Sequence, residues 1–216
     1  MKKKYAALAL TAVLAVSAAV PAAAAQSTAE NATVSSAEDL LLSMENIDTS
    51  VYEGTWLNTG LGFDLYLPSD WSVIEQTEDM KANDIVFMAT DLEKGWSVSI
   101  SQSDLSDNPV GSKQIYEQLS SDSKYTNVMN ANANGIPCVT FDKDEDKVSG
   151  LAFADVNGQM YTVMVTPNDD KDFVPTMENI IYSVSPSDTT SGAESAEDVA
   201  VSVDDSAISG LEAAAK

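Results

Sequence analysis

Five consecutive residues, Asp142-Lys143-Asp144-Glu145-Asp146, form the sharpest concentration of chemistry-bearing side chains in this 216-residue chain. Acids at alternate positions match the opening of a helix–loop–helix calcium loop, where oxygen ligands alternate along the backbone. The rest of that pattern is missing. Counted from Asp142, the sixth position is Lys147 where glycine is needed, and the twelfth is Phe153 where a bidentate glutamate is needed. The cluster therefore reads as a solvated hairpin tip, with Asp142, Asp144 and Asp146 as the candidate ligands of a loose calcium site. A second acidic run, Asn168-Asp169-Asp170-Lys171-Asp172, precedes a helical pattern. There its acids serve to cap free N–H groups and complement the helix dipole.

Other chemistry is scarce. The chain has no histidine and no arginine, so its 11 cations are all lysine. This removes the Ser-His-Asp triad, the Cys-His pair, histidine metal ligands and the bidentate phosphate clamp. The single cysteine, Cys138, lies between Pro137 and Val139 in a strand pattern and reads as a small buried residue, since with no histidine or arginine only a lysine could activate it. Trp56, Trp71 and Trp96 suit either core packing or an aromatic platform for carbohydrate or peptide. A carboxylate pair alone suffices for glycoside hydrolysis, which keeps a small extracellular hydrolase as the alternative function. Asp64 is the acid to watch for that chemistry, because it lies on the strand face opposite Phe63, Leu65 and Leu67; that face is expected to meet solvent. No catalytic or cofactor-binding residue is assigned.

Lys2-Lys3-Lys4, an apolar run from Tyr5 to Val20, and Ala23 and Ala25 have the form of a secretory signal peptide. The run is shorter than the ~20 residues of a spanning helix. Cleavage after Ala25 would release a secreted, extracellular chain beginning at Gln26, no longer tied to the membrane. The formal charge is −23, and losing residues 1–25 leaves 8 lysines against 34 acids, or −26. Such a surface repels nucleic acid and anionic lipid and attracts cations or a basic partner.

Every aromatic residue after the signal lies between Tyr52 and Tyr182. This marks 51–186 as the globular domain, of a size for one core, and a monomer is expected. Residues 26–50 and 187–216 are acidic and poor in large apolar residues, and are expected to be disordered. One short helix over 36–44 is expected to carry Leu40, Leu41 and Met44. Inside the domain, strand patterns run over 51–58, 61–67, 71–74, 85–88 and 96–101. A helix is predicted with Ser112 as its N-cap and Ile115, Tyr116 and Leu119 on one side. Four more strands follow over 125–133, 136–142, 147–156 and 159–166, with Asn134-Gly135 and Asn157-Gly158 as hairpin turns. A last helix over 173–182 buries Phe173, Met177, Ile180 and Ile181. The fold class is α+β, an antiparallel sheet of about seven to nine strands covered by helices.

The segment Gly62-Phe63-Asp64-Leu65-Tyr66-Leu67-Pro68-Ser69-Asp70-Trp71 resembles the PsbP-like superfamily, in which a strand is followed by Leu-Pro and a turn ending in Trp. The Asn-Gly hairpins and the closing helix from Pro175 to Tyr182 fit as well. The resemblance covers residues 51–186 and implies a sandwich of sheet and helices. That group includes photosystem extrinsic subunits and many secreted bacterial proteins, most of them binding or accessory modules. The histidines linked to metal in some members have no counterpart in this chain. The expectation is a secreted, non-catalytic acidic binding domain, without a cofactor, whose partner is a protein or cell-envelope ligand of basic character.

Overall fold

The computed structural model describes residues 39–187 and the backbone of Glu194 and Ser195. The expected export signal, the start of the 26–50 segment and the rest of the acidic tail lie outside the described residues. Strand β1 (Leu40–Leu42) and a 3-10 turn (Met44–Asn46) lead into the hairpin of β2 (Gly54–Asn58) and β3 (Phe63–Pro68). Then come β4 (Ser72–Val73), α1 (Glu78–Ala82), β5 (Ile85–Asp91), β6 (Trp96–Asp104) and α2 (Ser112–Ser121). The chain continues through β7 (Thr126–Ala133), β8 (Ile136–Lys143), β9 (Val148–Ala154), β10 (Gln159–Thr166), α3 (Val174–Ser183), β11 (Ser185–Pro186) and β12 (Glu194–Ser195).

The class is α+β, but the strands divide between two sheets. The larger has eight strands in the order β1-β7-β8-β9-β10-β6-β5-β4, and the smaller has four, β11-β3-β2-β12. Pairing is antiparallel except for β1 with β7 and β2 with β12. One face of the large sheet is covered by α2, whose Ile115 and Leu119 pack with Val139, Phe141, Ala152 and Met164. The other face receives α3 and the small sheet. Phe63 meets Phe153 edge-on at 5.1 Å and Tyr161 at 5.5 Å between centroids. Alternation therefore serves both layers along β10, with Tyr161, Val163 and Val165 on one side and Met160 and Met164 on the other. Each large side chain so buried contributes roughly 1.5–3 kcal/mol.

Asn134-Gly135 closes a two-residue hairpin between Ala133 and Ile136, with φ of +50° and +99°. Both residues sit in the left-handed region that asparagine and glycine tolerate. Asn157-Gly158 belongs to a longer loop, in which the Asp155 N–H donates to the Gln159 carbonyl at 2.9 Å. Helix α2 begins at Ser112, with Gly111 as the capping residue in place of the expected Ser112, and Gln114 Oε1 accepts the Gly111 N–H at 3.1 Å.

The N-terminal segment departs from expectation. The spacing of Leu40, Leu41 and Met44 suits a helix, yet Leu40–Leu42 forms an edge strand in register with Ala131–Ala133. Leu42 is 2% exposed in the core, whereas Leu41 is 71% exposed. Two asparagines hold this strap. Asn134 Oδ1 accepts the Met44 N–H at 2.8 Å, while its Nδ2 donates to the carbonyls of Tyr182 and Val184. Asn179 on α3 exchanges two hydrogen bonds with the Asp48 backbone, both 2.9 Å. The packed unit thus begins near Leu40, earlier than the aromatic residues indicate.

Candidate functional site

The register of the large sheet brings four loops to one end. Thr126 pairs with Asp142, Asp142 with Ser149, Thr166 with Ser97, and Asp91 with Trp96. The segments 91–95, 121–125, 142–147 and 168–172 therefore lie side by side. They carry two, one, four and three acids, ten in all, against five lysines. Hydrogen bonds knit the central pair of loops together. The Asn168 N–H donates to the Lys147 carbonyl at 2.8 Å, and Asn168 Nδ2 donates to the Val148 carbonyl and to Ser149 Oγ. Lys147 Nζ meets Asp169 Oδ2 at 2.6 Å across them.

The three candidate calcium ligands occupy this end, but each has its own protein partners. Asp142 is half-buried, and its Oδ2 accepts from Asn127 Nδ2 at 2.7 Å while Oδ1 accepts from the Ser149 hydroxyl. Asp144 Oδ2 accepts from the Thr126 hydroxyl at 3.2 Å. Asp146 forms an ion pair with Lys143. Among the described residues, no group of three or more acids, histidines or cysteines is placed to hold a metal ion. Asp142 serves as a cross-strand hub that ties β7, β8 and β9. Asn127 enters this hub through a bulge between Thr126 and Met129, at φ +51°. Neither composition nor spacing of the acids points to that residue.

Trp96 anchors the neighbouring loop. Its ring stacks on Phe173 at 4.9 Å and its indole N–H donates to Asp170 Oδ2 at 2.9 Å. That bond, with backbone donors at Asp172 and Phe173 and the charge of Lys94, lowers the Asp170 pKa against the opposing effect of burial. Lys94 Nζ lies 4.1 Å from the centre of the Trp96 ring, a cation–π contact. The loop 168–172 is thus fixed from both sides, by Lys147 and by Trp96. Trp71 packs against the same Phe173 at 6.1 Å. These two tryptophans are structural.

Trp56 differs. It is half-buried on the small sheet beside Tyr66, at 5.4 Å between centroids, and Tyr52 stacks on Tyr66 at 5.4 Å. Gly54 makes room for this row, since a Cβ there would lie 2.5 Å from the Tyr66 ring and 2.7 Å from the Tyr52 ring. The Tyr52 hydroxyl donates to the Tyr66 carbonyl at 3.0 Å, and burial pushes its pKa up. Asp64 is 0% exposed, contrary to the expectation that its face meets solvent. It lies between Asn58 and Ser185 in a strand covered on both sides. Cys138 is fully buried, and burial pushes its thiol pKa up from 9.0 to about 12.

No family model matches the chain, and no curated protein matches it in sequence. Among solved structures it is similar to cyanobacterial PsbP (CyanoP) from Synechocystis sp. PCC 6803. Identity is 13%, coverage is 59% of this chain and 88% of that one, and the TM-score is 0.43. It is also similar to a Bacteroides thetaiotaomicron VPI-5482 protein at 15% identity and a TM-score of 0.38, over 60% of this chain and 47% of that one. A PsbP protein is thus among the structures this chain is similar to, as the Gly62–Trp71 segment led us to expect. Among the described residues, no helix is long and apolar enough to cross a membrane.

Proposed function

We propose that this chain is an exported, non-catalytic domain that binds a basic protein or cell-envelope ligand through the acidic loop end of its large sheet. The observation that carries this reading is the convergence of ten carboxylates from four loops, against five lysines. Lys94, Lys143 and Lys147 are already engaged with Asp91, Asp146 and Asp169 in that same end. The surplus is therefore negative. Loops adjacent in a sheet lie within a Debye length of ~8 Å at physiological salt, so their fields add. A cationic ligand gains attraction from several loops at once, whereas nucleic acid and anionic lipid are repelled.

The loops suit binding because they are held in place. Asp142 is fixed by Asn127 and Ser149, and Asp170 by the Trp96 indole, so little ordering entropy is spent when a ligand arrives. Export follows from the basic start, the short apolar run and the Ala23/Ala25 pair, with Gln26 as the new N-terminus. A mass measurement on material from the medium checks that start.

The test is a titration of residues 26–216 with an oligolysine peptide, followed by amide shifts. Shifts concentrated in 91–95, 121–125, 142–147 and 168–172 are expected. Shifts spread evenly over the other acidic surfaces, or none, would overturn the assignment.

A further inference from the structure

Two turns of the large sheet carry the same dipeptide, Asn134-Gly135 and Asn157-Gly158, and the fold treats their asparagines in opposite ways. We propose that Asn157 is a site of spontaneous deamidation and that Asn134 is shielded from it. In this reaction the backbone nitrogen of the following residue attacks the side-chain carboxamide carbon. Glycine favours the attack because it has no side chain to obstruct it. The N–Cγ bond forms, the Cγ–Nδ2 bond breaks, and ammonia departs with the proton given up by the glycine amide. Water then opens the succinimide ring to aspartate or to isoaspartate. Nothing beyond water is consumed.

The attack requires the carboxamide to turn towards the next backbone nitrogen. At Asn134 it is held. Oδ1 accepts the Met44 N–H at 2.8 Å, and Nδ2 donates to Tyr182 O at 2.8 Å and to Val184 O at 2.9 Å. Turning it breaks all three bonds. The Gly135 N–H is itself bound to Asn132 Oδ1 at 2.7 Å. At Asn157 the side chain is exposed, and its Nδ2 reaches Asp155 Oδ2 at 3.3 Å, beyond the range of a well-formed hydrogen bond. The Gly158 N–H makes the longer bond, 3.3 Å to the Asp155 carbonyl, although the residue itself is buried against Ser106.

The product matters to the fold. Aspartate at 157 would set a second carboxylate beside that of Asp155, whose Oδ1 accepts the Asn157 backbone N–H at 2.8 Å. Isoaspartate would add a methylene to the backbone just before Gly158, whose carbonyl accepts the Leu105 N–H at 2.8 Å. Either product loosens the grip of this turn on the residues leading into α2.

The experiment is incubation of the full-length mature protein at mildly alkaline pH, with peptide mapping by mass spectrometry and a parallel sample in urea. In the folded protein, amide-to-acid conversion at Asn157 is expected to exceed that at Asn134 by about tenfold or more, because three hydrogen bonds hold the latter. In urea the two sites should convert at comparable rates. Equal conversion at both sites in the folded protein, or conversion in urea but none at Asn157 when folded, would overturn the proposal.

Discussion

Replacing Asn134 with alanine should release the N-terminal strap while leaving the sheets intact. The side chain makes three hydrogen bonds of 2.8, 2.8 and 2.9 Å to Met44, Tyr182 and Val184. At a net worth of about 1 kcal/mol each, their loss costs about 3 kcal/mol. The residue also sits at φ +50°, where alanine adds about 1 kcal/mol of backbone strain. The expected loss is therefore about 3–4 kcal/mol, a fall of roughly 10 °C in Tm for a domain of this size. Asn134→Gly removes the same bonds without the strain and should recover about 1 kcal/mol of that loss. Urea unfolding measures the cost, and hydrogen exchange at the Met44 amide reports whether the strap opens. A loss below about 1 kcal/mol, or unchanged protection at Met44, would show that this turn does not latch the strap.

Three further outcomes are expected. Gly150→Ala should destabilise by about 2–3 kcal/mol, because the new Cβ would lie 2.5 Å from the Val163 carbonyl oxygen and 3.0 Å from the Phe141 ring; chemical denaturation checks it. Cys138 should resist thiol reagents in the native protein at pH 8 and react once unfolded. Its raised pKa also means that its contribution to stability is fully present below 9.0 and is lost as pH rises towards about 12, which a pH series of unfolding curves would show. Trp96→Phe should shift the Asp170 titration, seen by carboxyl-carbon NMR, up towards the ordinary 3.8, because it removes the indole donor that comes first among the causes lowering it. The linked contribution of Asp170, present at neutral pH and lost as pH falls through its lowered pKa, should shrink accordingly.

Local signals carried much of the fold. The run Gln159–Thr166, bounded by Asn157-Gly158 and Pro167, marks β10 at its observed limits, and the left-handed preference of Asn134-Gly135 sets the β7–β8 turn. Long-range partners were not legible. Leu40, Leu41 and Met44 satisfy a helical spacing, and the open edge of β7 together with the Asn134 side chain draws them into a strand instead. Nothing in the alternation of β3 says that both of its faces are covered, so Asp64 reads as solvent-facing and is buried. The acidic runs at 142–146 and 168–172 stand out singly. Their adjacency depends on strand register, which places Asn168 beside Lys147. The division into two sheets was not legible for the same reason: periodicity defines a strand's faces and leaves its neighbour open.

The proposed binding of a basic ligand belongs to the loop end of the large sheet more than to the overall charge. Calorimetric titration of residues 26–216 with oligolysine, at low and high salt, tests it directly when two neutralised variants are compared. One carries Asp144→Asn, Glu145→Gln and Asp169→Asn at the loop end. The other carries Glu78→Gln, Asp79→Asn and Asp107→Asn, on α1 and on the segment between β6 and α2, so both lose the same charge. Steep weakening with salt for the parent, loss of most of the affinity in the first variant and near-parental binding in the second are expected. Equal weakening of both variants, or undiminished binding by the first, would contradict that assignment.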